Sequence, residues 1–144
     1  MDYRIMTEED IERVIPIYID YYNNHEDCSW TNETAFKRIH QYWSMEGAYC
    51  FIVEDNGKIA GFELGYFEQY DDLVAYDINE IVIEYTYQNK GVGTAFLLEI
   101  EKQVKEKGSP MIQLTEINDE MHEHFYGKLQ YQNVGSQKLK VKWL

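Results

Sequence analysis

Apolar residues recur along this chain at two spacings, and each spacing predicts one type of secondary structure. Spacing close to 3.6 residues predicts four helices. The first covers residues 11–22, and Pro16 inside it should kink or divide it. The second begins at a Thr31 cap and runs to Trp43. The third covers residues 94–107 and the fourth residues 121–129.

Short β-branched runs and alternating positions predict the strands. They fall at residues 3–6, 48–54, 58–67, 74–84 and 111–116, with a hairpin turn at residues 55–57. A short strand around Val134, a turn at residues 135–136 and a last strand in the segment KLKVKWL close the chain. The predicted order is β-α-α-β-β-β-α-β-α-β-β, which is an α+β fold in one domain over residues 1–144.

Composition is typical of a folded globular protein, with 44% apolar and 27% charged residues. No apolar run approaches the roughly 18 residues needed to span a bilayer, and the first residues lack the pattern of a signal peptide. We therefore expect a cytoplasmic protein without a membrane partner. Cys28 and Cys50 have no metal-ligand spacing, so free thiols are expected and no metal site is predicted.

The charge is strongly acidic and unevenly distributed. The net charge is −13, which argues against a nucleic-acid surface because phosphate neutralisation needs basic residues. Residues 1–80 contain 18 acidic and 5 basic residues, whereas residues 81–144 contain 8 of each. Two readings remain open: the acidic half serves solubility, or it attracts a cationic ligand.

The segment QNKGVG, residues 88–93, joins a predicted strand to the third helix. Unpaired N–H groups and the positive end of the helix dipole meet at such a junction. Because Gly91 and Gly93 have no Cβ atom, an anion can approach these N–H groups closely. The spacing matches neither a Walker loop nor a dinucleotide fingerprint. A phosphate or pyrophosphate is the expected ligand, and a plain tight turn is the alternative.

Two segments carry a resemblance to a known family. The segment QNKGVG after the strand EIVIEYTY resembles the Q/R-x-x-G-x-G/A signature of the GNAT-type N-acetyltransferases. Downstream, FYGKLQY, residues 125–131, is similar to the FYxKLGF segment of that family. The predicted element order also agrees, so the resemblance covers essentially the whole chain. It implies the GNAT fold, a central mixed and mostly antiparallel sheet flanked by helices.

The resemblance implies acetyl-coenzyme A as cosubstrate. Its pyrophosphate would lie on the backbone of Gln88, Asn89, Lys90, Gly91, Val92 and Gly93, and Thr94 could add a hydroxyl. Its pantetheine arm would pair with the preceding strand at Ile81, Val82 and Ile83. An N–H group near Ile83 would stabilise the thioester oxygen as that oxygen gains charge.

Catalytic roles are implied for two residues. Glu80 matches the glutamate base of many family members, with Glu84, Glu116 or a water chain as alternatives. Tyr126 matches the tyrosine that returns a proton to the cofactor sulfur, and a packing role is its alternative.

Two positions depart from the family pattern. A cofactor-binding asparagine usually precedes this tyrosine by seven residues, but Asp119 stands there and Asn118 stands one residue earlier. Gln130 replaces the usual glycine of the KLGF turn, which predicts a non-glycine residue in a strained conformation or a changed turn.

The sequence therefore predicts an enzyme that moves an acetyl group to a primary amine, with a small cationic amine as the expected acceptor. Acetylation of a protein N-terminus or lysine is the alternative within enzymes. A catalytically silent acyl-coenzyme A-binding module is the alternative from another class. The sequence also allows a homodimer.

Overall fold

The computed structural model describes residues 1–144 as four helices packed on a five-stranded sheet. The strands are β1 (Asp2–Ile5), β2 (Phe51–Asp55), β3 (Lys58–Gln69), β4 (Val74–Ile83) and β5 (Met111–Leu114). The helices are α1 (Asp10–His25), α2 (Asn32–Ser44), α3 (Val92–Glu106) and α4 (Glu120–Gly127). A short 3₁₀ turn, Tyr85–Tyr87, separates β4 from α3. This order confirms the α+β prediction as far as α4.

The sheet has the strand order β1-β2-β3-β4-β5. Its first three neighbouring pairs are antiparallel, and only β4 and β5 run parallel, because α3 carries the chain back between them. The expected mixed and mostly antiparallel sheet is therefore confirmed.

The two parallel strands separate partway along β4. β5 pairs with β4 only from Ala75 to Ile78. The next residue, Asn79, is an extra residue opposite β3, since Leu64 pairs with Glu80 and Gly65 with Ile78. Such a bulge bends a strand. Beyond it, β4 continues to Ile83 with β3 on one side only, so its other edge is open.

Each face of the sheet covers its own core. Alternation along β2 directs Ile52 towards α1 and α2, where Tyr18 and Ile39 are fully buried. Its neighbours Phe51 and Val53 face α3 and α4. The helices pack their apolar sides against this sheet, as their amphipathic sequences predict.

Two local predictions for the first helices had different outcomes. The Thr31 cap is confirmed, because its side chain accepts a hydrogen bond from the Thr34 N–H group at 3.1 Å. The expected division at Pro16 is wrong, since α1 runs unbroken from Asp10 to His25. Pro16 is exposed, so water can bind the carbonyl that lacks a partner while the buried face holds the helix together.

The two strands predicted after α4 are absent, so that part of the predicted order is wrong. Residues 132–144 form no strand, make no backbone hydrogen bond and are all exposed. Leu139, Val141 and Trp143 alternate with lysines as in a strand, but they are 86%, 67% and 91% exposed. A strand needs a hydrogen-bonding neighbour, and this segment pairs with none.

Candidate active site

The turn between β4 and α3 has an unusual backbone. Asn89 and Gly91 both adopt the left-handed conformation, with φ angles of 58° and 81°. A Cβ atom at Gly91 would meet nothing within 4 Å, so its φ angle, and not crowding, favours glycine there. Alternating left-handed residues turn successive N–H groups towards one side, a geometry that binds anions.

The amides of this turn are free of protein partners. The six consecutive N–H groups from Asn89 to Thr94 donate no hydrogen bond within the protein, and α3 has no side-chain cap. Together with the positive end of the dipole of the 15-residue helix, they form a concentrated donor site.

Gly93 differs from Gly91, since it lies inside α3 with ordinary helical geometry. A Cβ atom there would lie 3.5 Å from Cγ1 of Ile83 and 3.7 Å from the Phe125 ring, which are ordinary contacts. The fold therefore has room for alanine at a position where glycine weakens the helix. The missing methyl group leaves space next to the free amides.

The open edge of β4 supplies a second set of main-chain groups, which β3 does not pair. The Glu84 N–H group donates to the Ala60 carbonyl of β3 at 2.8 Å. Because alternate residues of an antiparallel pair face opposite neighbours, Ile81 and Ile83 direct their main-chain groups away from β3. The Gln88 side chain confirms this orientation, since its Nε2 donates to the Ile83 carbonyl at 2.9 Å.

The open edge and the turn border a cavity of about 450 Å³. Seven of the expected cofactor-binding residues line it: Ile81, Ile83, Gln88, Asn89, Gly91, Gly93 and Thr94. Four others do not. Val82 and Val92 are buried in the core, and Lys90 and Asn118 are exposed outside the cavity. Of the two residues weighed for the cofactor asparagine, Asp119 instead caps α4, accepting from the His122 N–H group at 2.8 Å.

A smaller cavity of about 80 Å³ adjoins the first. Tyr21, Ile81, His122 and Tyr126 border both cavities. Three of its polar side chains, Asn79, Glu80 and Glu116, each have a buried atom without a hydrogen-bond partner: Nδ2 of Asn79 and Oε2 of each glutamate. Buried polar atoms without partners are rare, so these three atoms indicate a recess for a polar ligand.

Glu80 projects from β4 into this recess and is only 9% exposed. Its Oε1 accepts from the Tyr18 hydroxyl at 2.8 Å and lies 3.8 Å from a guanidinium nitrogen of Arg38. Burial raises the pKa of Glu80, although the Tyr18 hydroxyl and the Arg38 charge oppose that shift. A carboxylate whose pKa is raised towards neutrality is a better proton acceptor from an ammonium group.

The two alternative glutamates lie in different places. Glu116 borders the smaller cavity, and burial together with the neighbouring Glu123 raises its pKa. Glu84 borders neither cavity. Its carboxylate accepts from the Thr86 N–H group at 3.0 Å, which caps the 3₁₀ turn.

Tyr126 lies on α4 in the wall between the cavities and is 9% exposed. Its hydroxyl has no hydrogen-bond partner in the protein. Burial, helped by the nearby Glu116 carboxylate, raises the pKa of Tyr126 to about 12. The hydroxyl therefore stays protonated at neutral pH and can act as a hydrogen-bond donor.

His122 is a residue of this site that sequence reasoning missed. Its Nδ1 lies 2.7 Å from Oδ1 of Asp119, an arrangement that fixes the orientation of the imidazole ring. It stands one helical turn before Tyr126 and borders both cavities. The i, i+4 spacing of His122 and Tyr126 was visible in the sequence and indicated a shared helix face.

The fold and the site together define a class of α+β protein. It combines free main-chain donors and an open strand edge at one cavity with a carboxylate-lined recess next to it. Residues 11–131 match the acetyltransferase (GNAT) family. The chain belongs to that family, whose members use acetyl-coenzyme A as acetyl donor. The comparison with curated proteins gave no match. No helix combines the length and the apolar character that a membrane crossing requires.

Solved structures show the same fold at low sequence identity. A "possible acetyltransferase" from Clostridium difficile 630 is 11% identical with a TM-score of 0.85, and the match covers 99% of this chain and 97% of that one. A transcriptional regulator from Bacillus halodurans C-125 is 17% identical with a TM-score of 0.80 and 99% of both chains covered. A ribosomal-protein-alanine N-acetyltransferase from Brucella melitensis biovar Abortus 2308 is 12% identical, with a TM-score of 0.78 and coverage of 99% and 100%.

Proposed function

We propose that this protein transfers the acetyl group of acetyl-coenzyme A to a primary amine of a small cationic molecule. The observation that carries the proposal is the row of six unpaired N–H groups from Asn89 to Thr94, which borders the same cavity as the open edge of β4. A pyrophosphate satisfies the first set and an extended amide-containing arm the second, as an added strand would.

The smaller cavity supports a cationic amine as acceptor. Its Glu80 and Glu116 carboxylates attract an ammonium group, and Tyr21 and Tyr22 supply aromatic walls. One water molecule needs about 10–15 Å³ of cavity volume, so the recess of about 80 Å³ accommodates roughly five to eight heavy atoms. That volume suits the aminoalkyl end of a molecule, with the remainder outside.

The proposed reaction is a direct attack in a ternary complex. The bound ammonium loses a proton to Glu80, its nitrogen attacks the thioester carbonyl carbon, and a C–N bond forms. The C–S bond then breaks and its electron pair remains on sulfur. An N–H group on the open edge, at Ile81 or Ile83, stabilises the oxygen while it carries negative charge.

Tyr126 acts on the departing sulfur as a hydrogen-bond donor. With its pKa at about 12 against about 8.5 for a thiol, full proton transfer to the thiolate is unfavourable by roughly 5 kcal/mol. A hydrogen bond to the charged sulfur contributes about 1.5–3 kcal/mol without that cost. The proton that finally reaches sulfur comes from solvent or from the proton acceptor.

The test is coenzyme A release with a panel of amines at low and high salt. We expect diamines to react faster than neutral amines of equal length, and their kcat/KM to fall as salt rises, because exposed charges are screened over about 8–10 Å at 0.1–0.15 M salt. Glu80→Gln should lower kcat strongly. Glu84→Gln is the matched control and should not, because Glu84 lies outside both cavities.

Three outcomes would redirect the proposal. Equal rates for charged and neutral amines without salt dependence would remove the electrostatic selection of the acceptor. Turnover confined to peptides would favour a protein N-terminus or lysine as acceptor. Tight coenzyme A binding without release for any amine or peptide would favour the non-catalytic module.

A further inference from the structure

Asp119 and His122 form a carboxylate–imidazole pair at the start of α4. Oδ1 of Asp119 lies 2.7 Å from Nδ1 of His122 and also accepts from the His122 N–H group at 2.8 Å. These hydrogen bonds lower the pKa of Asp119, so its side chain is a carboxylate at neutral pH. A carboxylate can only accept hydrogen bonds, and Nδ1 of the ring therefore carries the hydrogen. The free lone pair of the neutral imidazole is then on Nε2.

The imidazole ring extends from this carboxylate into the site. Asp119 is exposed and borders neither cavity, whereas the His122 side chain is only 16% exposed and borders both. Nε2 is on the edge of the ring away from Asp119, and it has no hydrogen-bond partner in the protein. A ring that is oriented at one nitrogen and free at the other has the arrangement of a proton-transfer group.

The two cavities meet at four side chains, those of Tyr21, Ile81, His122 and Tyr126. The proposed acetyl donor lies in the larger cavity and the acceptor in the smaller one, so the reacting atoms meet at this junction. Ile81 has no polar group there. The Tyr21 hydroxyl donates to Glu26 at 3.3 Å, and burial raises the pKa of Tyr21 to about 12, as it does for Tyr126. Histidine is the side chain that exchanges protons near neutral pH, and His122 is the only histidine at the junction.

The proposed reaction leaves the carrier of one proton open. A primary ammonium loses two protons when it becomes an amide nitrogen, and Glu80 takes the first of them. After the C–N bond has formed, the nitrogen is positively charged and still holds the second. Tyr126 is a poor carrier, because its pKa of about 12 makes full transfer to a thiolate unfavourable.

We propose that His122, oriented by Asp119, carries this second proton from the amine nitrogen to the sulfur of coenzyme A. The inference rests on the acetyl transfer proposed above. Nε2 takes the proton from the nitrogen of the tetrahedral intermediate, the C–S bond breaks, and its electron pair stays on sulfur. The imidazolium then gives the proton to the thiolate, which leaves the amide, the thiol of coenzyme A and a neutral imidazole. An imidazolium is a stronger acid than a thiol, so this last transfer is favourable.

The surroundings of His122 suit a ring that is charged for part of the cycle. Tyr126 follows it by four residues, about 6 Å along the helix axis at 1.5 Å per residue, so both side chains reach one sulfur from the same helix face. Burial raises the pKa of Glu116, and a charged His122 ring opposes that rise, which places the two groups close together. The Glu116 carboxylate stabilises the imidazolium while the ring holds the proton.

The substitution His122→Gln is the first test, and His124→Gln is its matched control. His124 lies on the same helix, is exposed and borders neither cavity. With the most reactive amine of the panel, we expect His122→Gln to lower kcat by roughly 100-fold or more, with little change in coenzyme A affinity. His124→Gln should keep the wild-type rate. A wild-type kcat for His122→Gln would overturn this inference alone, whereas a wild-type protein that releases no coenzyme A with any amine would refute the proposed function and this inference with it.

Asp119→Asn tests the positioning role of the carboxylate. Asparagine also caps helices, so α4 should stay folded, but its amide can donate to Nδ1 and place the ring hydrogen on Nε2. We expect a smaller loss of kcat than for His122→Gln, and no further loss when the two substitutions are combined, since Asp119 acts only through His122. Losses that multiply in the double variant would show that Asp119 does not act through the ring.

Chemical rescue separates proton transfer from a structural role. The variant His122→Ala keeps the cap of α4, because the Asp119 side chain still accepts from the main-chain N–H group. Added imidazole should restore part of its kcat, to an extent that depends on the basicity of the imidazole used, since proton transfer follows that dependence. Imidazole should not rescue Tyr126→Phe, which still has its own ring at position 122. A folded His122→Ala variant that no imidazole rescues would assign the pair to capping of α4 and overturn the proposal.

Discussion

Replacing Gly93 by alanine separates a glycine required by the fold from one required by a ligand. The substitution adds a single methyl group to the wall of the larger cavity. The new Cβ atom would lie 3.5 Å from Ile83, so it clashes with nothing in the protein. Alanine is favoured over glycine by about 0.8–1 kcal/mol in a helix interior, and the gain is smaller at the second residue of α3. The melting temperature should therefore stay the same or rise.

The affinity for coenzyme A should change in the opposite direction. The methyl group stands where an anion would approach the amides of the turn, and loss of one hydrogen bond to a charged group costs about 1.5–3 kcal/mol. Since 1.4 kcal/mol corresponds to tenfold, we expect binding to weaken by roughly 10- to 100-fold. Isothermal titration calorimetry with coenzyme A measures this loss, and thermal unfolding of the same samples measures stability.

Gly127→Ala is the matched control. Gly127 is the last residue of α4, borders neither cavity, and has open space around its Cβ position. We expect its coenzyme A affinity to equal that of the wild type. Unchanged affinity in a folded Gly93→Ala variant would refute the reasoning, since the missing Cβ would then serve neither the fold nor the ligand.

Three further predictions concern Gln130, Glu63 and Tyr126. Gln130→Gly should stabilise the protein by about 1 kcal/mol, because Gln130 has a φ angle of 71°, and a lower melting temperature would contradict this. Glu63 is fully buried against the Tyr76 hydroxyl, and burial raises its pKa well above 4.5. The folded state therefore holds a proton that the unfolded state releases above pH 4.5, so stability should fall as pH rises from there, by up to about 1.4 kcal/mol per pH unit. Denaturant titrations of Glu63→Gln should lack this component, and parallel pH profiles for both proteins would disprove it. Tyr126→Phe should lower kcat by roughly 10- to 100-fold, because the variant loses one charge-assisted hydrogen bond to the departing sulfur. Its coenzyme A affinity should change little. Wild-type turnover under conditions where chemistry limits the rate would assign Tyr126 to packing.

Local patterns allowed much of the fold and of the larger cavity to be predicted from the sequence. The strand before residues 88–93, the glycines and the amphipathic helix are contiguous, so their contacts follow from short-range geometry. The strained backbone expected at Gln130 is confirmed for the same reason, since a helix end needs a left-handed residue there. The GNAT fold was predicted correctly because both family motifs stood at the expected separation.

The smaller cavity could not be predicted, because its residues come from distant parts of the chain. Tyr21 on α1, Asn79 in the β4 bulge and Glu116 after β5 meet only once the strands separate. The prediction of a final strand was wrong for a different reason. Alternation in KLKVKWL describes what the segment can do, but strand formation depends on a neighbour that a single chain need not supply.

Because β4 separates from β5, one strand contributes main-chain groups to one cavity and side chains to the other. Ile81 and Ile83 expose peptide groups, which every residue type except proline carries alike, whereas Glu80 presents a side chain to the other cavity. Substitutions in the smaller cavity can therefore change which ligand it binds during evolution, while the main-chain edge of β4 stays unchanged. In a fold of this kind, acceptor specificity can diverge without any loss of the main-chain groups that bind the acetyl donor.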